Sequence, residues 1–261
     1  MIQAKHLRKS YGDTTVVDDI NLSVEAGELL VLLGGSGSGK TTTLKMLNRL
    51  IEPTSGLVQL AGTDTTTIPP HELRRQIGYV FQQSGLFPHM TVRNNIGITP
   101  TLLGWPDDRI TARVDELMDL VELSSEMGNR FPHELSGGQQ QRVGVARALA
   151  ASPRVMLLDE PFGSLDALTR ERLQESFLRI HRALSLTTIL VTHDMTEALM
   201  MGDRIGVLRE GALLQVASPR ELLSRPVDGY VEQLMNTPRR HAAVIDALAD
   251  TPPRETRILD G

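Results

Sequence analysis

The chain has 261 residues, enough for one large α/β domain or one domain with an appended subdomain, and its formal net charge of −5, 40% hydrophobic and 23% charged residues are ordinary for a globular protein. It has no cysteine, which excludes disulfides, thiol catalysis and cysteine-ligated zinc, and its acidic balance lacks the basic footprint of a nucleic-acid binder. The N-terminal run Met1-Ile2-Gln3-Ala4-Lys5-His6-Leu7-Arg8 carries no apolar secretory segment, and the longest aliphatic run, Leu29 to Leu33, falls far short of the ~20 residues that span a bilayer.

Residues 1 to about 30 hold short alternating segments, such as Ile20, Leu22 and Val24, which predict antiparallel strands. Leu29 to Leu33 is apolar throughout, as expected of a strand buried on both faces. Aromatics make up only 3% of the chain, so an aliphatic core is expected. A glycine-rich loop follows the strand. Leu44, Leu47, Leu50 and Ile51 then share one helical face, with Glu52-Pro53-Thr54-Ser55-Gly56 as the stop signal. From about Thr91 to Ala151 the pattern turns helical, and Val114, Leu117, Met118 and Val121 form one apolar stripe. The α/β pattern resumes with Val155 to Leu158 and Thr188 to Thr192, both apolar enough for central parallel strands. Ile205 to Leu208 and Ala212 to Val216 flank the turn Arg209-Glu210-Gly211 and predict a hairpin. Ser218-Pro219-Arg220-Glu221 is a helix start with a capping box. After Asn236, prolines 238, 252 and 253 and weak periodicity predict a peripheral extension.

Gly34-Gly35-Ser36-Gly37-Ser38-Gly39-Lys40-Thr41 matches the pattern G-x-x-x-x-G-K-[ST], with Thr42 next in the chain. Glycines let backbone N–H groups turn inward around phosphate oxygens without a Cβ in the way. Lys40 would neutralise β- and γ-phosphates, and the Thr41 hydroxyl would ligate Mg²⁺. The helix that follows presents its positive end to the same anion. The alternative is a glycine-rich strand–helix turn without a ligand. The complete motif, set between a strand and a helix, favours the phosphate site.

Asp159-Glu160 ends an apolar strand. In P-loop enzymes an Asp at this place holds Mg²⁺, and a neighbouring Glu can act as general base on the attacking water. Two acids on a solvated loop would look the same in sequence. His193 follows another buried strand. A histidine there often serves only as a structural hydrogen bonder, but ligand sites of open α/β sheets lie at those strand ends.

A second glycine turn, Leu135-Ser136-Gly137-Gly138-Gln139, opens an apolar-periodic helix through Val143, Ala146 and Leu149. Ser136 and Gln139 are a capping box in their own right. A cap alone does not require Gly137-Gly138, since glycine inside a helix costs roughly 1 kcal/mol. Glycines there expose N–H groups and make the cap a second anion site. One nucleotide needs one cradle, so two suggest a site assembled from two molecules with ATP between them.

Leu135 to Gln139 resembles the signature motif of ATP-binding-cassette (ABC) ATPases, and the other family motifs follow in family order. The resemblance implies that Tyr11 stacks on adenine with Val16 beside it. It implies that Gln82, in Tyr79-Val80-Phe81-Gln82-Gln83, is the Q-loop glutamine that senses Mg²⁺. Asp166, in Gly163-Ser164-Leu165-Asp166, matches the D-loop aspartate, and His193 matches the switch histidine at the γ-phosphate. Glu160, His193 and Gln82 would then serve catalysis, and Thr41, Gln82 and Asp159 the metal. The fold implied is a P-loop NTPase core of ABC ATPase type with an N-terminal antiparallel β subdomain and an inserted α-helical subdomain at about 91–151. The resemblance covers about residues 1–235. In that family two cassettes pack head to tail, so Ser136, Gly137 and Gly138 would touch the partner's ATP. A homodimer, or a pseudo-dimer with a close relative, is expected, and the Q-loop region Gln82 to Met90 would receive a transmembrane permease subunit.

Leu44 to Gly56, Leu86-Phe87-Pro88-His89-Met90-Thr91-Val92, Leu103-Gly104-Trp105-Pro106 and Pro132 to Leu149 are similar to the matching stretches of quaternary-amine importer ATPases. That kinship implies glycine betaine, choline or carnitine as cargo, selected by the permease and by a periplasmic or lipid-anchored binding protein. It also implies a peripheral place on the cytoplasmic face of the inner (plasma) membrane. An importer ATPase for another small solute and a soluble ABC ATPase of an assembly machine are the alternatives. A nucleic-acid-acting ABC protein is disfavoured, since neither a long heptad segment nor a cysteine is present. Gly35 replaces the usual Pro, Thr or Ser of the loop, and Ala167 stands where Pro often follows the D-loop aspartate. Residues 236–261 are too few for the CBS domains that many relatives carry, so regulation by that route is not expected.

Overall fold

A computed structural model describes residues 1–249 apart from 84 and 164. Ser164 of the D-loop run, Ser84 of the Q-loop region and the prolines at 252 and 253 lie outside the described residues. In chain order the first elements are β1 (Ile2–Tyr11), β2 (Thr14–Val24), β3 (Leu29–Leu33), α1 (Lys40–Leu47), β4 (Ser55–Leu60) and β5 (Thr63–Asp64). Next come α2 (Pro70–Arg75), β6 (Ile77–Val80), α3 (Val92–Leu102), α4 (Asp107–Leu120), α5 (Gly137–Leu149) and β7 (Val155–Asp159). The chain continues through α6 (Ala167–Leu184), β8 (Thr187–Thr192), α7 (Met195–Met201), β9 (Arg204–Arg209), β10 (Ala212–Ala217), α8 (Pro219–Ser224) and α9 (Gly229–Ala249).

The strands form two sheets. The N-terminal sheet has order β2-β1-β4-β5 and is antiparallel throughout. The larger sheet has order β10-β9-β3-β8-β7-β6. Its strands run parallel except for β10, which returns beside β9 as a hairpin. The continuous apolar runs lie at the centre of this sheet, where both faces need cover. Every residue of β3, β7 and β8 is buried. Successive side chains point to opposite faces, and the core divides accordingly. Leu29, Val31, Leu33, Met156, Leu158 and Leu190 join the cluster that contains the helical segment. Leu30, Leu32, Val155, Leu157, Ile189 and Val191 join the cluster under the antiparallel sheet and α1. The core is mainly aliphatic, yet Phe162 and Phe177 are among its largest fully buried side chains, meeting edge-on at 6.5 Å between ring centres.

The first helix is shorter than its apolar spacing predicts. Asn48 ends α1, Arg49 turns left-handed at φ 54°, and Leu50 and Ile51 both donate their N–H to the carbonyl of Lys45. Leu50 is consequently exposed. The Arg49 guanidinium explains the early stop, because it donates to the carbonyls of Thr65 and Ile68 and pairs with Glu52. The last helix also differs: α9 runs through Pro238 to Ala249, so the segment after Asn236 is helical to that point.

Between β6 and β7 lie α3, α4 and α5. Val114, Leu117 and Met118 of α4 are buried as a stripe, and Val143, Ala146 and Leu149 of α5 face the same core. A buried side chain that sequence reasoning missed fixes the entry to this segment. Asn95 accepts from Phe87 N at 2.8 Å and donates to the carbonyls of Phe87, Met90 and Thr91 at 3.0–3.1 Å. Replacing it with Ala leaves these backbone groups without their partner. We expect Asn95→Ala to cost about 1–3 kcal/mol in denaturant unfolding and to raise amide exchange across residues 85–91. Exchange unchanged from wild type would refute the role of Asn95 as the pin of this loop.

Candidate functional site

The parallel strands end in register, and this places the site. Leu33 pairs with Thr192, Asp159 with Val191 and Val80 with Leu158. The glycine loop after β3, the acidic pair at the end of β7, the glutamine after β6 and the histidine after β8 therefore meet at one edge. This is the carboxyl edge where open α/β sheets bind ligands.

Residues 34–39 connect β3 to α1, with Gly37 and Gly39 left-handed at φ 76° and 97°. Gly34 has no room for a side chain, since a Cβ there would lie 2.3 Å from the carbonyl oxygen of Leu208. Gly35 has open space, so the unusual residue at this place does not disturb the loop's packing. Lys40 is buried, and its ammonium donates to the carbonyls of Gly34 and Gly35, both at 2.8 Å, and to Ser38 Oγ at 3.3 Å. Burial lowers its pKa, opposed by the charges of Glu160 and Asp159. Thr41 Oγ1 donates to Asp159 Oδ1 at 2.7 Å. Thr42 follows within α1 and is half-buried. Ser36 sits in the loop turn and is exposed.

Asp159 is buried, and its second oxygen accepts from Tyr79 OH at 3.4 Å. Burial first, then the Asp159 charge, pushes the Tyr79 hydroxyl well above its usual range, so it stays a donor. Glu160 is left-handed at φ 45°, a strained conformation for a non-glycine residue that the surroundings must hold. Its N–H donates to Val191 O at 3.0 Å. Gln82 Nε2 donates to one carboxylate oxygen at 3.1 Å, and His193 Nδ1 lies 3.2 Å from the other. The Thr41–Asp159 pair and the Gln82–Glu160–His193 set thus lie at neighbouring positions of one sheet edge, and the charges of Glu160 and Asp159 act on Lys40.

Tyr11 ends β1 and is 51% exposed, with Lys9 Nζ 4.9 Å from its ring centre. Val16 lies on β2, packed at the margin of the core under the antiparallel sheet. The turn Leu135 to Gln139 is elsewhere. Ser136 Oγ accepts from Gln139 N at 3.3 Å, and Gln139 Oε1 accepts from Ser136 N at 2.9 Å, completing the capping box of α5. A Cβ on Gly137 would meet nothing within 4 Å, so the helix start is open at that residue, whereas one on Gly138, which is buried, would lie 2.6 Å from Thr169 Cγ2. Helix α5 packs on α3, α4, α6 and β6, whereas α1 packs on β2, β7 and β8. Among the described residues no hydrogen bond joins 135–139 to 34–42.

Asp166 caps α6 by accepting from Thr169 N at 3.1 Å, and the bonds from Thr169 hold its carboxyl below the usual range. Ala167 begins that helix without the proline often found there. Arg170, which sequence reasoning missed, donates to Leu165 O at 3.0 Å and lies 3.4 Å from Asp194 Oδ2. It ties the D-loop segment to the turn that carries His193.

Behind that turn Glu197 is buried and accepts from Gln174 at 3.1 Å. Burial raises its pKa, against hydrogen bonds to Thr192 and Gln174. The folded state therefore holds this proton above the ordinary value of 4.5. The group's stabilising contribution is complete below 4.5 and is lost as pH rises through the raised folded value. Glu197→Gln removes this titration, so the stability of wild type relative to the variant should fall with rising pH. Urea unfolding across a pH series tests this, and parallel stability curves would contradict it.

The cluster's donors are hard oxygens, Thr41 Oγ1 and the Asp159 carboxylate, with the Gln82 amide beside Glu160. Such a set fits Mg²⁺, which takes one or two protein ligands alongside phosphate oxygens and waters. Among the described residues no group of three or more His, Cys, Asp and Glu could hold a metal alone.

Comparison with known proteins identifies the family. A family model described as ABC transporter matches residues 17–163. The chain is 49% identical over 240 residues to the glycine betaine/carnitine/choline transport ATP-binding protein OpuCA of Bacillus subtilis (strain 168), covering 92% of this chain and 63% of that protein. It is 50% identical over 233 residues to the glycine betaine uptake system ATP-binding protein YehX of Escherichia coli (strain K12), covering 89% of this chain and 76% of that protein. The chain thus spans less than two thirds of the length of the first of these relatives. A solved dimeric ATP-binding cassette in a post-hydrolysis state, bound to ADP and Pi, matches with TM-score 0.77 and 33% identity, covering 84% of this chain and 99% of that chain. A component of the cbiONQ ABC transporter complex from Clostridium perfringens matches with TM-score 0.80 and 26% identity, covering 94% of this chain and 98% of that chain. With the family model spanning more than half of its length and about half of the aligned residues shared with such relatives, this chain belongs to the ABC transporter family.

Proposed function

We propose that this chain is the ATP-hydrolysing subunit of an ABC importer for a quaternary-amine osmoprotectant. The observation that carries the ATPase reading is the cluster at the carboxyl edge of the sheet, where Glu160 is held between Gln82 and His193 beside the Thr41–Asp159 pair. The loop from Gly34 to Gly39, with Lys40, Thr41 and Thr42, would wrap the phosphates while Tyr11 and Val16 receive the base. Thr41 and Asp159, with Gln82, would hold Mg²⁺, which when bound neutralises charge on the phosphates. Glu160 takes the proton of the attacking water, and His193 both orients Glu160 and faces the γ-phosphate.

Within one chain the Ser136-Gly137-Gly138 turn is not bonded to the phosphate loop. An open helix N-terminus of this kind suits phosphate oxygens, and we assign it to the ATP of a second cassette packed head to tail. Asp166 would lie at the same junction. The solved relative described as a dimeric cassette supports this assembly. The unit at 1–235, with its helical insert at 91–151, is the working cassette in this reading, and 236–261 is an extension of it.

No helix among the described residues is long and apolar enough to cross a membrane. A cleft of about 410 Å³ beside the Q-loop region is lined by Leu50, Tyr79, Phe81, Phe87, Leu102 and Arg147. Four of these, Leu50, Phe81, Phe87 and Leu102, are exposed large apolar side chains. We assign this cleft to a helix of the permease, on the cytoplasmic face of the membrane, with a solute-binding protein outside.

Kinship supports the cargo: relatives at 49% and 50% identity are named for glycine betaine, carnitine and choline. A sulfate/thiosulfate import ATP-binding protein of Nocardia farcinica (strain IFM 10152) is 45% identical over 231 residues, so sulfate is the control. Reconstitution with a permease and a solute-binding protein of the quaternary-amine type tests the reading. ATP hydrolysis stimulated by betaine, choline or carnitine is expected, and stimulation by sulfate alone would overturn the cargo.

A further inference from the structure

Two turns in this chain share a backbone conformation but not their surroundings. Ala61-Gly62 joins β4 to β5 with φ of 51° and 82°, and Glu210-Gly211 joins β9 to β10 with φ of 49° and 83°. Two successive left-handed residues characterise the type I′ hairpin turn, which accounts for glycine in second place in both. A Cβ on Gly62 would meet nothing within 4 Å, but one on Gly211 would lie 2.7 Å from the carbonyl oxygen of Val16 and 3.1 Å from its carbonyl carbon. The turn type alone explains Gly62. It does not explain why the tip at Gly211 is pressed against another strand.

The contacts at that tip lead to the phosphate loop. Gly211 N donates to Ser38 O at 3.2 Å, and Gly211 O accepts from Asp18 N at 2.9 Å. A Cβ on Gly39 would lie 2.8 Å from the same Val16 oxygen and 3.5 Å from Gly211 Cα. Further back on the hairpin, the carbonyl of Leu208 closes over Gly34. The β9–β10 hairpin thus touches the phosphate loop at its first residue and again at Ser38-Gly39. The same tip holds Val16 and Asp18 of β2, on the side expected to face the base.

We propose that Gly211 is a positioning residue for nucleotide binding: it lets the hairpin tip seat against Ser38, Gly39 and Val16 and so sets the phosphate loop against the base-facing strand. The inference rests on the ATP reading above. Nothing at Gly211 reaches the reacting atoms, so its effect is on affinity rather than on turnover of bound ATP. A methyl group at this place must push the Val16–Val17 backbone aside or lift the tip away from it, and with it the bond to Ser38.

The paired turn supplies the control. Gly211→Ala and Gly62→Ala both force alanine into a left-handed conformation and should both lower the melting temperature. Only Gly211→Ala should weaken ATP binding, by about tenfold, the scale of an overpacked contact. Gly62→Ala should stay within about twofold of wild type, and kcat at saturating ATP should stay within about threefold in both. Gly211→Asn keeps the left-handed backbone more readily yet carries the same Cβ, so it reads the contact even if the alanine variant folds poorly. A merely structural glycine would lower the melting temperature and leave the ATP affinity of the folded protein unchanged. Calorimetry showing Gly211→Asn and Gly211→Ala binding ATP as tightly as Gly62→Ala would overturn this inference alone. A wild-type chain that bound no ATP would overturn it together with the reading it rests on.

Discussion

Glu160→Gln is expected to lower steady-state ATP turnover by ~10²–10⁴-fold, the usual worth of a positioned general base, while ATP affinity stays within about threefold of wild type. Glutamine has the shape of glutamate and keeps one oxygen to accept the Gln82 hydrogen bond, which is 3.1 Å long in the native site. What it loses is the ability to take a proton from water. The left-handed backbone at Glu160 and its bond to Val191 O do not depend on the side-chain charge, so the site should keep its form. Phosphate release and calorimetry on the same preparation separate the two effects. Turnover within tenfold of wild type would remove Glu160 from the role of base.

Lys40→Ala is expected to weaken ATP binding by ~10²–10³-fold, since charge-assisted hydrogen bonds contribute roughly 1.5–3 kcal/mol each and an ammonium offers several. In the structure those donors are aimed at the carbonyls of Gly34 and Gly35 and at Ser38 Oγ, inside the hollow of the loop. Phosphate oxygens would take the same donors. Lys40→Met keeps the apolar stem in its buried slot and removes only the charge, so it should lose affinity with less loss of stability. Because burial lowers the Lys40 pKa, ATP affinity should also begin to fall at a lower pH than an ordinary lysine would impose. Unchanged ATP affinity in Lys40→Met by calorimetry would count against the loop as a phosphate cradle.

What the sequence revealed and what it hid follow from the range of the interactions. The loop from Gly34 to Thr41 is legible because its signal is local: a buried strand, glycines and a helix within a dozen residues. The places of the acidic pair and His193 at strand ends are legible because each follows an apolar run, but their meeting at Glu160 appears only once β6, β7 and β8 pair. Tyr79 is not, because its bond to Asp159 exists only once β6 lies parallel to β7. Asn95 reads as an ordinary polar helix residue until the loop at 87–91 folds back on it. Arg170 becomes visible only when α6 is placed beside the turn carrying Asp194. Gly211 has a sufficient local reason, its turn, which hides the contact with Val16. The first helix departs from its pattern for the opposite reason: the apolar period continues through Leu50 and Ile51, but the guanidinium of Arg49, reaching Thr65 and Ile68, ends the helix before them.

The central claim is that each ATP site is completed by a second cassette, with the Ser136-Gly137-Gly138 turn closing over the partner's phosphates. The mass of Glu160→Gln in saturating ATP and Mg²⁺, measured by size-exclusion chromatography with light scattering, tests it most directly. The expected result is a particle of twice the 28.7 kDa chain mass, which returns to monomer when Gly137 is replaced by a bulky residue. A particle that stays at 28.7 kDa with ATP demonstrably bound would contradict the two-chain site.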